Sequence, residues 1–367
     1  MRHILFVDDE ASVLQGLRRM LHDQRQAWQM DFVSSGAEAL DLVRQKPVDV
    51  VVSDMRMPGM DGAALLKEVR QIRPETLRIV LSGQSDWDRA VQSIEDAHRF
   101  LLKPCEKQLL KDAIGQSESL EAMVPDARLR CEIAQLSRLP MLGPAGQELL
   151  KVMDGPGASL KRAAAMVEKD PGLAALALKM VHSAFFAVKV RVERPAQAAL
   201  LLGFDNLRSF VLSAEPFHGF DRGLWPLADR LWQVGAEVAF EARQTANAFG
   251  ASREEENDAF TAGMLHEIGV LILATLRPAL AQRWEAEHPG GWPGDEGEAA
   301  LFGATHAAVG GYLLALWGLP GPLVNAVAWH HHPEQGRPSA VLSALHAAAA
   351  LKSAHQLPIP AAEAALA

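Results

Sequence analysis

Five short apolar runs recur through the first 118 residues: ILFV (4–7), MDFVSS (30–35), VDVVVS (48–53), LRIVLS (77–82) and HRFLLK (98–103). An amphipathic stretch with helical spacing follows each run, beginning near Ala11, Ala37, Gly62, Asp86 and Lys107. Runs such as VDVVVS are β-branched and nearly uncharged, which suits a parallel strand covered on both faces. Strand and helix in strict alternation imply a doubly wound five-stranded parallel sheet with right-handed crossovers.

The strand signal stops near residue 119. SESLEAMVPDARLRCEIAQL is polar and helix-prone, broken once by Pro125, and reads as a helical connector over 119–131. Long Ala- and Leu-rich helical patterns follow at 159–168, 171–183, 195–213, 225–249, 256–276, 296–317 and 320–332, so 132–335 is expected to be all-α. The remainder, 336–367, reads as a C-terminal helix and a loosely packed tail. At 367 residues the chain exceeds one ordinary hydrophobic core, which agrees with a multidomain protein, α/β followed by all-α.

A net charge of −9 argues against a dedicated nucleic-acid binder, which needs cationic side chains to neutralise phosphates. Cys105 and Cys131 have neither metal-ligand spacing nor a disulfide framework around them, which fits a reducing compartment. The N-terminus is too soon charged for a signal peptide, and no apolar stretch reaches the roughly 18 residues of a membrane span. A cytoplasmic protein without a membrane segment is the expectation.

Ligands of open parallel sheets collect beyond the carboxyl ends of the strands. Asp8 and Asp9 end the first strand, Asp54 the third, Ser82 the fourth, and Lys103 the fifth, just before Pro104. Three carboxylates at one place repel and call for a hard cation such as Mg²⁺. With that charge offset, one carboxylate can act as nucleophile toward a phosphoryl group, while a lysine and a small hydroxyl hold the transferred oxygens.

VDDE, SDMRMPGMDG, LSG and FLLKP resemble the receiver (CheY-like) domain of two-component response regulators across 1–118. The resemblance implies Asp54 as phosphoacceptor, and Asp8, Asp9, Asp54 and the backbone carbonyl of Arg56 as the Mg²⁺ shell. It also implies Ser82 and Lys103 as phosphoryl-binding groups and Phe100 as the aromatic switch, packing inward after phosphorylation. A sensor histidine kinase is the implied phosphodonor.

The helical half holds His266-Glu267, His306, His330-His331-His332 and His346. Imidazole and carboxylate together are ordinary ligands for Zn²⁺, Fe or Mn²⁺. The order of segments is similar to the HD superfamily of phosphohydrolases and closer to the HDOD domain, a relative generally regarded as non-catalytic. LSRLPML, KDPGLAALALKMVHSAFF, LWQVGAEVA, AFTAGMLHEIGVLIL, FGATHAAVGGYLLALWGLP and AVAWHHHP carry that similarity. Three departures count against hydrolysis. Val234 stands where relatives often have His, Glu267 replaces Asp, and alanines fill 347–350 where metal-binding relatives place Asp.

His266, Glu267, His306, His330 and His331 are therefore read as a degenerate site that needs no cofactor. His266 reads as a hydrogen-bonded core residue and the histidine triplet as a helix C-terminus. Trp225, Trp232, Trp317 and Trp329 read as core anchors. The resulting expectation is a response regulator whose phosphorylation switches a non-catalytic output domain that binds a downstream signalling protein or a nucleotide ligand. A phosphorylation-dependent homodimer belongs to the same reading. The alternatives are a receiver-controlled metal-dependent phosphodiesterase acting on a cyclic dinucleotide, and a nucleotide sensor without turnover.

Overall fold

The structure, a computed structural model, describes residues 1–83, 96–136, 149, 152–153, 158–182, 192–213, 222–289 and 291–353. The five expected strands are present: β1 (Arg2–Val7), β2 (Trp28–Val33), β3 (Val50–Asp54), β4 (Leu77–Ser82) and β5 (Arg99–Leu102). All four pairings are parallel, in the order β2-β1-β3-β4-β5. Helices α1 (Ala11–Met20), α2 (Gly36–Gln45), α3 (Gly62–Ile72) and α4 (Lys107–Met123) flank them. The helix expected near Asp86 lies outside the described residues. Every residue of β3 and β4 is buried, as their lack of alternation requires.

Helix α4 runs on through the first half of the connector. It stops before Pro125, and α5 (Ala127–Gln135) restarts on Asp126, whose side chain accepts from the Arg128 N–H. Among the described residues eleven further helices follow: α6 (Leu160–Val167), α7 (Pro171–His182), α8 (Pro195–Ser213), α9 (Trp225–Ala248), α10 (Arg253–Leu265), α11 (Ile268–Leu276), α12 (Pro278–Glu287), α13 (Asp295–Phe302), α14 (His306–Leu316), α15 (Gly321–Trp329) and α16 (Ala340–Ser353). Most of the LSRLPML segment and the tail beyond 353 lie outside the described residues.

Two expected helices are each a pair. The pattern at 256–276 breaks at His266-Glu267, where Glu267 turns out of helical geometry (φ −91°, ψ 7°). The break lets the chain pass beneath the start of α14, and Gly269 makes that approach possible. A Cβ there would lie 1.9 Å from the His306 carbonyl oxygen. The pattern at 296–317 bends by 69° between α13 and α14. Thr305 caps the second piece by accepting from the Ala308 N–H. Helix α12 is an element the periodicity did not reveal. Contrary to the sequence expectation, the run Arg253–Leu276 is long and apolar enough to cross a membrane. Its apolar window is 83% buried within the fold, which makes it the inner helix pair of the core.

The α1/α4 face of the sheet shares one continuous apolar core with the helical half. Ile4, Phe6, Val52 and Leu101 connect through Ile114, Val124 and Leu129 to Leu313, Trp317 and Leu345. The helical half sits at the end of the sheet where the strands begin, opposite Asp54. Arg2, Asp49 and Leu77 there share a cleft with Arg128, Cys131, Tyr312 and Leu316.

Two buried guanidiniums pin this junction. Arg99, first residue of β5, donates to the carbonyls of Ala113 (2.8 Å), Leu316 (3.2 Å) and Ala315, the last two at the end of α14. Arg78 donates to the carbonyls of Asp96 (2.6 Å), Pro74 (2.8 Å) and Ala134 (3.1 Å). Burial lowers the pKa of Arg99 to about 10 and of Arg78 to about 9. Both remain cations at neutral pH.

Arg99→Met keeps the apolar stem and removes every donor. Losing these charged hydrogen bonds is expected to cost about 1–3 kcal/mol. Urea unfolding followed by tryptophan fluorescence reads this as an earlier midpoint, and an unchanged midpoint would show that the guanidinium carries no docking energy.

Candidate functional site

The strand ends build the first site. β1 delivers Asp8, 1% exposed, and β3 delivers Asp54, 8% exposed. Asp9 is the exposed member of the trio, and all three offer oxygens within 4.8 Å of one another. Lys103, beyond β5, lies 2.6 Å from Asp8 Oδ2 and 2.5 Å from Asp54 Oδ1. The backbone N–H of Arg56 donates to Asp54 Oδ2 at 3.0 Å. Burial raises the pKa of Asp54, assisted by Asp8 and opposed by Lys103 and the Arg56 N–H. Burial works the other way on Lys103, but its two carboxylate partners outweigh it and raise its pKa. The ammonium bridges two of the three carboxylates but offsets only one negative charge, and the remaining charge favours a cation.

Ser82 is fully buried and stands one residue past Leu81, the register partner of Asp54. Its carbonyl accepts from the Lys103 N–H at 2.9 Å. Phe100 pairs with Val80 and is 3% exposed. Phe100 is thus buried in this structure, among Val80, Ala97 and Leu66. One residue escaped the sequence reading. Gly62, first in α3, packs so tightly that a Cβ would lie 2.1 Å from the Asp54 carbonyl oxygen. The glycine sits inside SDMRMPGMDG, so position in the motif was the available signal.

The second cluster lies where α10, α11, α14 and α15 end or begin. His306, at the start of α14, places Nε2 at 3.3 Å from His330 Nε2, 3.2 Å from His331 Nε2 and 3.5 Å from Glu267 Oε2. His266 Nε2 lies 3.6 Å from the other Glu267 oxygen. All five expected residues therefore converge. His332 points elsewhere, to Asp295 at 2.9 Å, and His346 Nδ1 bonds the His330 carbonyl at 2.7 Å.

The sequence reading missed Glu298, hidden in the loop-like HPGGWPGDEGE. It is fully buried, 2.7 Å from His306 Nδ1, and accepts from the His306 backbone N–H (2.7 Å) and from Trp292 Nε1–H. Burial disfavours a charged His306, yet Glu298 and Glu267 outweigh it and raise the pKa to about 10. Burial lowers the pKa of His266 and His330, and takes His331 down to about 4 with help from the neighbouring His306. The cluster opens into a cavity of about 730 Å³ whose wall includes Val234, Arg230, Glu237, Trp292 and Asp295.

Fold and first site together define the class: a receiver domain joined to a helical domain. The response regulator receiver model matches residues 4–115 and the HDOD domain model matches 139–333, more than half of the chain. The chain belongs to the HDOD family, and its receiver and HDOD domains make it a response regulator of two-component type.

Among curated relatives, the hydrogenase transcriptional regulatory protein HoxA of Cupriavidus necator is 34% identical over 38% of this chain and 28% of its own. The transcriptional regulatory protein ZraR of Escherichia coli is 28% identical over 62% of this chain and 49% of its own. The chain thus spans half or less of the length of these relatives. Among solved structures, a receiver domain from Clostridium thermocellum is 31% identical, with a TM-score of 0.31, over 34% of this chain and 98% of that one. The MmoQ response regulator of Methylococcus capsulatus is 21% identical, with a TM-score of 0.45, over 61% of this chain and 89% of that one.

Gly62→Ala should displace the Asp54 carbonyl and with it the acidic site. A Mg²⁺ titration by thermal shift is expected to stabilise the native chain and to lose most of that shift in the variant. An equal shift in both would show that α3 yields without disturbing Asp54.

Proposed function

We propose that Asp54 accepts a phosphoryl group from a sensor histidine kinase with Mg²⁺ bound, and that the signal leaves through β5 to the HDOD domain. The observation that carries this reading is the assembled trio of Asp8, Asp9 and Asp54 with Lys103 across two of them. Asp8, Asp9, Asp54 and the Arg56 carbonyl would hold the ion, which offsets the charge of the incoming phosphoryl group. Asp54 Oδ supplies the nucleophile. Lys103 Nζ is placed to follow the transferred oxygens, and Ser82 Oγ to receive one of them.

A doubly charged acyl phosphate draws Ser82 and Lys103 toward it. Both are tied to the β4–β5 ladder, through the Ser82 carbonyl and the Lys103 N–H. Phe100 and Arg99 are neighbours on β5 and so face opposite sides of the sheet. Phe100 packs with Val80 on the phosphorylation-site side, and Arg99 reaches the end of α14. A shift of β5 that reseats Phe100 also strains the Arg99 contacts.

The output is read as binding, of a signalling protein or of a small ligand such as a nucleotide in the cavity beside His331. The loss of an imidazole at Val234 and of a carboxylate at 347–350 supports binding over phosphodiester hydrolysis. Homodimerisation through the receiver belongs to the same proposal.

With acetyl phosphate and Mg²⁺, the native chain is expected to incorporate phosphate and Asp54→Asn to incorporate none. Labelling that persists in the variant would move the phosphoacceptor elsewhere. Beryllofluoride should change protease sensitivity near 119–131 in the native chain and much less in Arg99→Met. Equal responses would take β5 out of the path.

A further inference from the structure

Three of the clustered imidazoles have their protons fixed from outside. His266 Nδ1 faces the Gly263 carbonyl at 2.6 Å, and His330 Nδ1 faces the Val327 carbonyl at 2.8 Å. A carbonyl oxygen only accepts, so Nδ1 carries the proton in both rings and Nε2 keeps its lone pair. His306 Nδ1 faces Glu298, a carboxylate already accepting a backbone N–H and an indole N–H. That ring too has its proton on Nδ1, and its Nε2 points inward.

Around His306 Nε2 stand His330 Nε2, His331 Nε2 and Glu267 Oε2, at 3.3, 3.2 and 3.5 Å. Without a metal, a proton on His306 Nε2 can bridge a single one of these contacts, because an N–H points one way. A metal ion in its place takes a lone pair from each of the three rings.

The spacing selects the cation. Ligands about 2.0–2.1 Å from a tetrahedral Zn²⁺ stand about 3.3–3.4 Å from each other. The contacts of His306 with His330 and His331 fall on or beside that edge length, and the three rings offer their nitrogens within 4.8 Å of one another. Three imidazoles suit a borderline divalent transition ion and do not suit Mg²⁺. Glu298 supplies the outer carboxylate that fixes ring orientation in a carboxylate–histidine–metal arrangement.

We infer that the HDOD domain holds one transition-metal ion of the Zn²⁺ type through His306 Nε2, His330 Nε2 and His331 Nε2, with the fourth position open to a water oxygen. Glu298 is a positioning residue for His306, and Glu267 and His266 stand outside the coordination sphere. This replaces the sequence expectation that the cluster needs no metal. It concerns a site remote from Asp54 and independent of phosphorylation. The ion lies at the wall of the cavity, with Glu267 24% exposed, so it is reachable from solvent.

Cobalt makes the test direct. Tag-free full-length protein, stripped by chelator, is titrated with Co²⁺ and read in the visible. One equivalent with the intense absorption of tetrahedral Co²⁺ is expected, reversed by Zn²⁺ and untouched by excess Mg²⁺. The intense band should not depend on the receiver carboxylates, which hold no imidazole. His331→Ala removes a part-buried ring and should abolish the intense band, with far-ultraviolet circular dichroism checking the fold. Glu298→Gln should weaken binding about 10–100-fold. X-ray absorption of the Zn²⁺-loaded native chain, which needs no variant, should show three imidazoles and one oxygen. No retained equivalent, a weak octahedral spectrum, or a band unchanged in His331→Ala would each overturn the assignment.

Discussion

The guanidinium of Arg99 is the contact on which the two halves of this protein depend. It leaves the first residue of an edge strand, crosses the α4 backbone at Ala113 and ends on the terminal carbonyls of α14. The carbonyls at a helix end lack the intrahelical donor of the preceding turns; Ala315 also accepts from the Gly318 N–H, and Arg99 adds a charged donor to both. A cation at a helix C-terminus also meets the negative end of the helix dipole. Receiver and output share an apolar core, but apolar packing is non-directional. Arg99 supplies the register that fixes which helix end meets which strand.

Much of the receiver was legible because its signals are local. All five strands fell where the apolar runs placed them, and Asp8, Asp54, Ser82 and Lys103 stand together at the strand ends. Gly62 was harder, since only the structure shows that its missing Cβ admits the Asp54 carbonyl. That Phe100 is buried is a matter of side-chain packing that no motif states.

The helical half was legible in outline and opaque in detail. Apolar periodicity runs straight through His266-Glu267 and through 303–305, so each helix pair looked continuous. The breaks come from close backbone approach, as at Gly269, and from the Thr305 cap. Glu298 was invisible for a related reason: a carboxylate among glycines and prolines looks solvated, yet it is the most buried acid of the cluster. Counting lost ligands against a family pattern made the site look empty. The distances among the side chains that remain describe a compact donor set of a different composition.

The cations at the junction are answered by dipoles. Arg99 and Arg78 reach across it to carbonyl oxygens of α14 and of Ala134, not to carboxylates. Mobile salt ions screen interactions between exposed charges over about 8 Å at physiological ionic strength, and they reach buried ion–dipole contacts far less. The junction is therefore nearly indifferent to the electrolyte around it. What parts the two halves has to arrive as movement along β5, which leaves their union under the control of the strand that carries the signal rather than of the medium.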